Sequence, residues 1–185
     1  GKQKRAEFSC GKQTNETHIE KSTAANGTLI AFVPDDTIFE NFHWYTEYIE
    51  KMMWNYVYLN RGLVIVFNGQ KFVSKNGLLD LLTNSINGEA LYSPIHLEED
   101  DFEFAITHTS RRYGEEYYSF VNSQNTTQGG THQQAFREAI VKTVRDFYKK
   151  DFDPSDIRNS IVAAISIKVK SPIFESQTKT KLGSQ

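Results

Sequence analysis

A single cysteine, Cys10, leaves this 185-residue chain without an internal disulfide. That fits a reducing, cytoplasmic setting. No apolar run approaches the ~20 residues that a membrane-spanning helix needs, so no membrane partner is expected. Basic charge is also short. The 21 Lys and Arg against 23 Asp and Glu give a net charge of −2 and a pI of about 6.2. This excludes a domain whose main work is to grip nucleic acid through a broad basic face, although not a local basic strip. There is no signal peptide, and the chain opens Gly1-Lys2 without Met, so it reads as an excised piece. His43, His96 and His108 are scattered without metal-ligand spacing and read as structural or exposed. What the chain does have is a hydrophobic fraction of 38%, with 13 Phe and 9 Tyr, which points to a packed core.

Taken in order, Ala6, Phe8 and Cys10 alternate with polar residues as in a half-buried strand. Asn26-Gly27 signals a turn. The β-rich apolar run 28–33 reads as a buried strand stopped by Pro34. Residues 43–59 form a helix with Tyr45, Tyr48, Ile49, Met52, Met53, Tyr56 and Val57 on a core-facing stripe. Gly62 stops it. Strands at 63–67 and 70–73 flank Asn68-Gly69, a type I′ hairpin turn in which both residues tolerate positive φ. Asn76 is expected to cap a short helix carrying Leu78, Leu79, Leu81, Leu82 and Ile86 and closed by Gly88. Residues 91–97 form a further strand.

The acidic run 98–101 invites a metal reading, but consecutive carboxylates in a strand alternate faces, so a solvated turn is the better account. Strands 102–109 and 116–121 flank a polar turn whose tip carries Arg111 and Arg112, candidate DNA-phosphate contacts. Gly129-Gly130 lacks the Lys-Ser/Thr of a P-loop and the spacing of a dinucleotide fingerprint. It reads as a helix start, with Thr131 and Gln134 as a capping box and glycines that allow close backbone approach. The helix to about residue 149 turns Ala135, Phe136, Ala139, Ile140, Thr143, Val144, Phe147 and Tyr148 inward, with Glu138 and Lys142 paired on its wet side. Asp153 and Pro154 open another short helix. A strand over 161–169 leads into residues 171–183, a polar stretch with little to bury, which composition alone reads as a disordered tail.

The wording of that last stretch resembles a known family. Pro172, Phe174 and Gln177-Thr178-Lys179 match the lysine loop of the type IIA DNA topoisomerase ATPase subunits, gyrase B and topoisomerase IV B. Gly27-Thr28, Phe32 and Pro34-Asp35 match a string that closes that family's nucleotide-domain sheet. Val121-Asn122, Gly129-Gly130-Thr131-His132 and Phe136-Arg137 match a third segment. Arg158-Asn159-Ser160 departs from the family's Arg-Glu-Gly and lacks its acidic group.

The resemblance implies that residues 1–38 end a GHKL nucleotide-binding domain and residues 39–185 form a transducer domain. The implied fold is an α/β (α+β) sandwich of the ribosomal protein S5 domain 2 type. It has a four-stranded mixed sheet, helices on one face and a left-handed βαβ crossover. The implied function is ATP-driven double-strand passage by the full-length protein, with topoisomerase IV B preferred to gyrase B. Gln177 and Lys179 would meet the ATP γ-phosphate, Thr178 would shape the turn, and Lys181 would support the loop. The catalytic Glu and the Mg²⁺ ligands would lie elsewhere, so neither ATP nor Mg²⁺ is expected on the isolated chain, which should be inactive. Implied partners are the nucleotide-binding domain, a second copy of the B-type protein, an A-type subunit and duplex DNA. Two rival readings are a stand-alone S5-like nucleic-acid-binding module and a MutL-like or Hsp90-like relative. The acidic pI opposes the first, and the Gln-Thr-Lys wording opposes the second.

Overall fold

The computed structural model describes residues 1–110 and 113–184. Arg111 and Arg112, the candidate phosphate contacts, lie outside the described residues, as does Gln185. The chain divides into two compact units, Gly1–Tyr45 and Thr46–Gln185.

The first unit holds four short strands, β1 (Lys2–Gln3), β2 (Ala6–Ser9), β3 (Lys12–Glu16) and β4 (Glu20–Lys21). They pair antiparallel, β1 with β4 and β2 with β3. The expected alternation at Ala6 and Phe8 is extended but not half-buried, since Phe8 is 65% exposed. The run 28–33, expected as a buried strand, forms none, and Leu29, Ile30 and Val33 are exposed. A strand needs a neighbour to take its backbone groups, and no described residue pairs with this run.

The second unit opens with α1 (Thr46–Leu59). Its face is the expected one only in part, with Ile49 and Met53 half-buried. Val57 and Tyr58 are buried, whereas Tyr48, Met52 and Tyr56 are exposed. Packing concentrates on the last turns, where Trp54 stacks on Tyr58 at 5.4 Å and meets Phe72 edge-on at 5.1 Å. The hairpin β5 (Ile65–Phe67) and β6 (Gln70–Phe72) turns at Asn68 and Gly69, with φ of 48° and 81°, as the Asn-Gly dipeptide demands.

In α2 (Leu78–Ile86) the expected Asn76 cap is replaced. Gly77 occupies the cap position without a side chain to bond. Asp80 reaches back instead, and its Oδ2 accepts from the N–H groups of Lys75 and Asn76 and from Ser74 Oγ. A first-turn carboxylate can satisfy donors that the helix leaves open. The strand expected over 91–97 is the shorter β7 (Ile95–Glu98), which begins just after Pro94, a residue with no N–H to give.

Next come β8 (Phe102–His108), β9 (Glu115–Val121), β10 (Gln124–Asn125), α3 (Thr131–Tyr148), α4 (Pro154–Arg158) and β11 (Ile161–Ile167). Asp153 caps α4 as expected, its Oδ1 accepting from Ser155 N–H at 2.7 Å. The mixed sheet runs β10-β9-β11-β8-β7. Its four longer strands match the expected count, and the two-residue β10 extends one edge. β11 is parallel to β9 and antiparallel to β8. Because both faces of β11 are covered, Ile161 through Ile165 are all buried, which is why the run is apolar without alternation.

Helices cover both faces of the sheet, not one. Val162 and Ala164 pack with Tyr58, Leu78, Leu82 and Ile86 from α1 and α2. Ile161, Ala163 and Ile165 pack with Phe136 of α3. The inward face of α3 is also rotated from the expected one. Phe136 and Val141 are buried, while Ala135, Ala139, Thr143, Phe147 and Tyr148 are not. Arg137 and Arg145 are only partly exposed, and each has partners that make partial burial tolerable. Glu138 accepts from Gln134 Nε2 on the wet side. Ser160 stands where the family pattern has glycine and adopts φ 66°, a left-handed conformation that glycine takes without steric cost.

Leu82 is fully buried in the cluster beneath α1 and α2. Leu82→Ala should lower unfolding free energy by about 2–5 kcal/mol in a denaturant titration, the usual cost of such a cavity. Tyr113→Ala, at a side chain 96% exposed, should change it by less than about 0.5 kcal/mol.

Candidate functional site

Residues 171–184 are not a disordered tail. They form a folded loop whose two ends are fastened to the β9–α3 connection. At the outgoing end, Asn122 adopts φ 49° and donates its N–H to the carbonyl of Ile167 at 2.9 Å. Its side chain then takes both backbone groups of Val169. Oδ1 accepts from Val169 N–H at 2.8 Å and Nδ2 donates to the Val169 carbonyl at 2.9 Å. The direction in which the chain leaves β11 is thereby set by one asparagine.

Beyond Pro172 the loop doubles back. Glu175 N–H donates to Lys181 O at 3.0 Å and Gly183 N–H to Ile173 O at 2.8 Å. At the tip, Lys179 takes φ 56° and its N–H bonds Ser176 O at 3.0 Å. The hydroxyls of Ser176 and Thr178 lie 2.7 Å apart. Gln177, Thr178 and Lys179 are exposed. Among the described residues, the side chains of Gln177 and Lys179 make no hydrogen bond or ion pair. Lys181 differs, since its Nζ pairs with Glu175 Oε1 at 2.8 Å inside the loop.

The returning arm runs along the start of α3. Gln128 N–H donates to Thr180 O at 2.9 Å, Leu182 N–H to Gly129 O at 3.1 Å, and Thr131 N–H to Leu182 O at 3.2 Å. Thr131 Oγ1 adds a bond to Ser184 O at 2.5 Å. The expected capping box is therefore absent. Thr131 is the first helical residue, and its hydroxyl and N–H both serve the loop, so a strand-like neighbour satisfies an open helix donor. Gly130, at φ 136°, lies so close that a Cβ there would sit 2.4 Å from Leu182 O and 2.6 Å from Leu182 N. The close backbone approach expected of the Gly-Gly pair is thus realised.

His132 anchors the same helix start to the sheet. Its Nε2 lies 2.6 Å from Ser119 Oγ and 3.4 Å from Thr126 Oγ1, both in buried residues. Its Nδ1 is buried and has no hydrogen-bond partner among the described residues. Burial lowers the imidazole pKa to about 4, so the ring is neutral at pH 7. Elsewhere on α3, Arg137 grips Glu115 with Nε and Nη2 at 2.7 and 2.6 Å. Arg158 reaches the same carboxylate at 3.1 Å. The bond from Arg137 is the main reason that the Glu115 pKa falls to about 2, and Tyr117 and Arg158 add to it.

The acidic turn after β7 is the other place to look for a site. His96, Glu98 and Glu103 bring ligand atoms within 4.8 Å of one another. Each is already engaged. Arg61 pairs with Glu98, His96 Nε2 contacts Glu103 Oε1 at 3.0 Å, and Leu78 N–H donates to Glu103 at 3.3 Å.

The structure thus joins two stretches that the sequence keeps apart, 121–132 and 171–184. Sequence reasoning missed Asn122, Ser184 and the tether through Thr131. The Val-Asn and Gly-Gly-Thr-His wording was the available signal, but it does not say what those residues hold.

A family model described as DNA gyrase B matches residues 47–185. The chain is 45% identical over 184 residues to the B subunit of DNA topoisomerase 4 from Borreliella burgdorferi, covering 99% of this chain and 30% of that protein. It is 31% identical over 210 residues to the B subunit of DNA gyrase from Eisenibacter elegans, covering 99% of this chain and 44% of that one. It therefore spans less than half the length of both relatives. Among solved structures, the 43K ATPase domain of Thermus thermophilus gyrase B in complex with an aminocoumarin aligns with a TM-score of 0.74 at 26% identity. That alignment covers 100% of this chain and 56% of the solved one. The B-subunit of the DNA gyrase from Myxococcus xanthus shares the fold, with a TM-score of 0.78 at 16% identity over 98% of this chain and 58% of that one.

Two acid-sensitive windows follow from the geometry. An unfolded histidine binds a proton near pH 6.5, whereas folded His132 resists until about 4, so stability falls as pH drops between those values. Folded Glu115 stays ionised to about 2 against 4.5 unfolded, so its contribution is present above 4.5 and lost toward 2. Thermal melts of the chain from pH 7 to 3 should show a declining Tm. His132→Asn should flatten the upper part of that decline, and Glu115→Gln only the part below about pH 4.5.

Proposed function

The chain belongs to the DNA gyrase B family, and from that membership we propose that it is the transducer part of the ATPase subunit of a type II DNA topoisomerase. In this reading Gln177 and Lys179 are its contacts to the terminal phosphate of ATP. Residues 39–185 are the transducer, and residues 1–38 end the nucleotide-binding domain. The observation that carries the reading is a pair of exposed donors, unengaged among the described residues, at the tip of a loop fastened at both ends. A free ammonium on a fixed loop is suited to a phosphate held by another module. A disordered tail would have to order on binding, at an entropic cost that this loop has already met.

ATP supplies the phosphoryl group that passes to water. This chain would supply positive charge where negative charge accumulates. The Lys179 ammonium and the Gln177 amide would stabilise the outer phosphate oxygens, each such bond being worth about 1.5–3 kcal/mol net. Thr178, through its hydroxyl contact with Ser176, keeps the tip turned. By the family resemblance, the Mg²⁺ ligands would lie in the nucleotide-binding domain; the described His96, Glu98 and Glu103 have partners within this chain. With the loop docked, the transducer would be held against the nucleotide-binding domain. Once the loop undocks, the two would be free to rotate, which is a shift between two populations. The sheet with helices on both faces gives the lever its stiffness.

The partners of this reading are the nucleotide-binding domain of the same protein, a second copy of that protein, an A-type subunit and duplex DNA. Topoisomerase IV B is preferred to gyrase B, supported by 45% identity to the Borreliella protein against 31% to the Eisenibacter one.

In the full-length protein, Lys179→Ala should lower ATP turnover at least tenfold, about 1.4 kcal/mol of barrier. Turnover equal to the parent's would remove Lys179 from the mechanism. The isolated chain, titrated with ATP in a calorimeter, should show no tight binding. A micromolar dissociation constant would mean that the chain carries a nucleotide site of its own.

A further inference from the structure

We infer that the turn Gly129–Thr131 is a positioning element for Lys179, fixing where the loop tip stands and tying it to the motion of α3. The inference rests on the phosphate-contact reading and adds to it the residues through which Lys179 acts.

Three observations carry it. First, the seam's hydrogen bonds are made to the loop, and they hold the buried side chain of Leu182 against the start of α3. Its bonds from Gln128, Gly129 and Thr131 to the returning arm reach residues 180–184. Neither apolar cluster of the sheet contains Gly130 or Leu182. The two apolar clusters on the sheet faces are thus built without the seam residues. Second, the fit has no slack. A Cβ at position 130 would meet Leu182 O at 2.4 Å, and φ 136° is a conformation that side-chain-bearing residues rarely adopt. Third, the seam joins the loop to the first residue of an 18-residue helix, about 27 Å long at 1.5 Å per residue. Through His132 the same helix start is bonded to Ser119 of β9. A displacement of the tip is thus passed to the helix start and not absorbed in a slack connection.

The chemistry explains why this matters. An ammonium contributes to a transition state only if it stands within hydrogen-bond distance when charge develops, and a misplacement of about 1 Å is enough to forfeit much of that. Released from Gly129 and Thr131, the returning arm would keep its bond from Gln128 N–H to Thr180 O and the anchor at Asn122 and Val169, but would lose the contacts that fix residues 182–184. Lys179 would then sample many positions.

The test is a double-mutant cycle in the full-length protein, reading steady-state ATP turnover. Gly130→Ala should lower kcat at least fivefold with KM for ATP changed less than twofold. Thr131→Val, which keeps the side-chain shape and removes the bond to Ser184, should lower it about threefold. Thr131→Ser, which keeps the donor, should recover most of that loss. Because the seam acts through Lys179, Gly130→Ala combined with Lys179→Ala should be no slower than Lys179→Ala alone. Hydrogen exchange on the present chain should show the Leu182 amide exchanging at least tenfold faster in either seam variant, with amides of β11 unchanged. Should Gly130→Ala fail to fold, the Thr131 pair gives the same cycle.

Losses that multiply in the double variant would mean a general structural effect and overturn the inference. So would seam variants whose turnover stays within twofold of the parent while the Leu182 amide is freed. If Lys179→Ala itself is within twofold of the parent, the phosphate reading falls and this inference falls with it. A slow Lys179→Ala beside normal seam variants sinks the inference alone.

Discussion

The backbone contact between Gly130 and Leu182 is the constraint on which the arrangement of the site depends. Two segments meet there with no room for a side chain between them. Everything beyond β11 would otherwise be a polar stretch with little to bury. Hydrogen bonds alone would hold it poorly, since each is worth only about 1 kcal/mol net in water. Several made together against a fixed helix start, with Leu182 buried among them, are enough to order residues 171–184. Family membership is shown by the match over residues 47–185, which includes this loop.

Charge has a structural part in the same region. Glu115 collects Arg137 from α3 and Arg158 from α4, so one carboxylate at the start of β9 fixes two helices. The double pairing tolerates partial burial because Arg137 is bidentate and both partners are close. Arg145, further along α3, is engaged separately by Asp151 and the Phe152 carbonyl. A face containing two engaged arginines packs inward, while Phe147 and Tyr148 are left outside. Where Arg158-Asn159-Ser160 departs from the family pattern, the arginine keeps a partner, and Asn159 Oδ1 accepts from Gly114 N–H at 3.1 Å.

Local chemistry was legible in the sequence and long-range chemistry was not. Asn68-Gly69 and Asp153-Pro154 each specify a conformation through their own side chains or backbone freedom, and both appear as read. The unalternating run at 161–165 announced a buried strand, yet helices were expected on only one face of the sheet. Periodicity located α1 and α3 but misjudged part of each face, because it counts apolar residues and not paired charges or the length of helix that meets a neighbour. Run 28–33 had strand propensity without a pairing partner among the described residues. Capping was misassigned twice, at Asn76 and Thr131, because Asp80 and the loop supply the bonds. At the site, resemblance named Gln177 and Lys179. The bonds that hold their loop join Asn122 to Val169 across 47 residues and Thr131 to Ser184 across 53, and no short motif reports those distances.

The central position of β11 has a kinetic consequence. Its two neighbours, β8 and β9, both precede it in the chain, with α3 and α4 in between. Contacts of such high sequence separation are slow to form, because the entropy of closing the intervening segment is lost before any pairing returns it. Pairing of β11 is therefore expected among the slower steps of folding, and the loop lies beyond it in the chain. Because the loop is bonded both to Asn122 after β9 and to the start of α3, it can be ordered only when those two elements and β11 stand in place together.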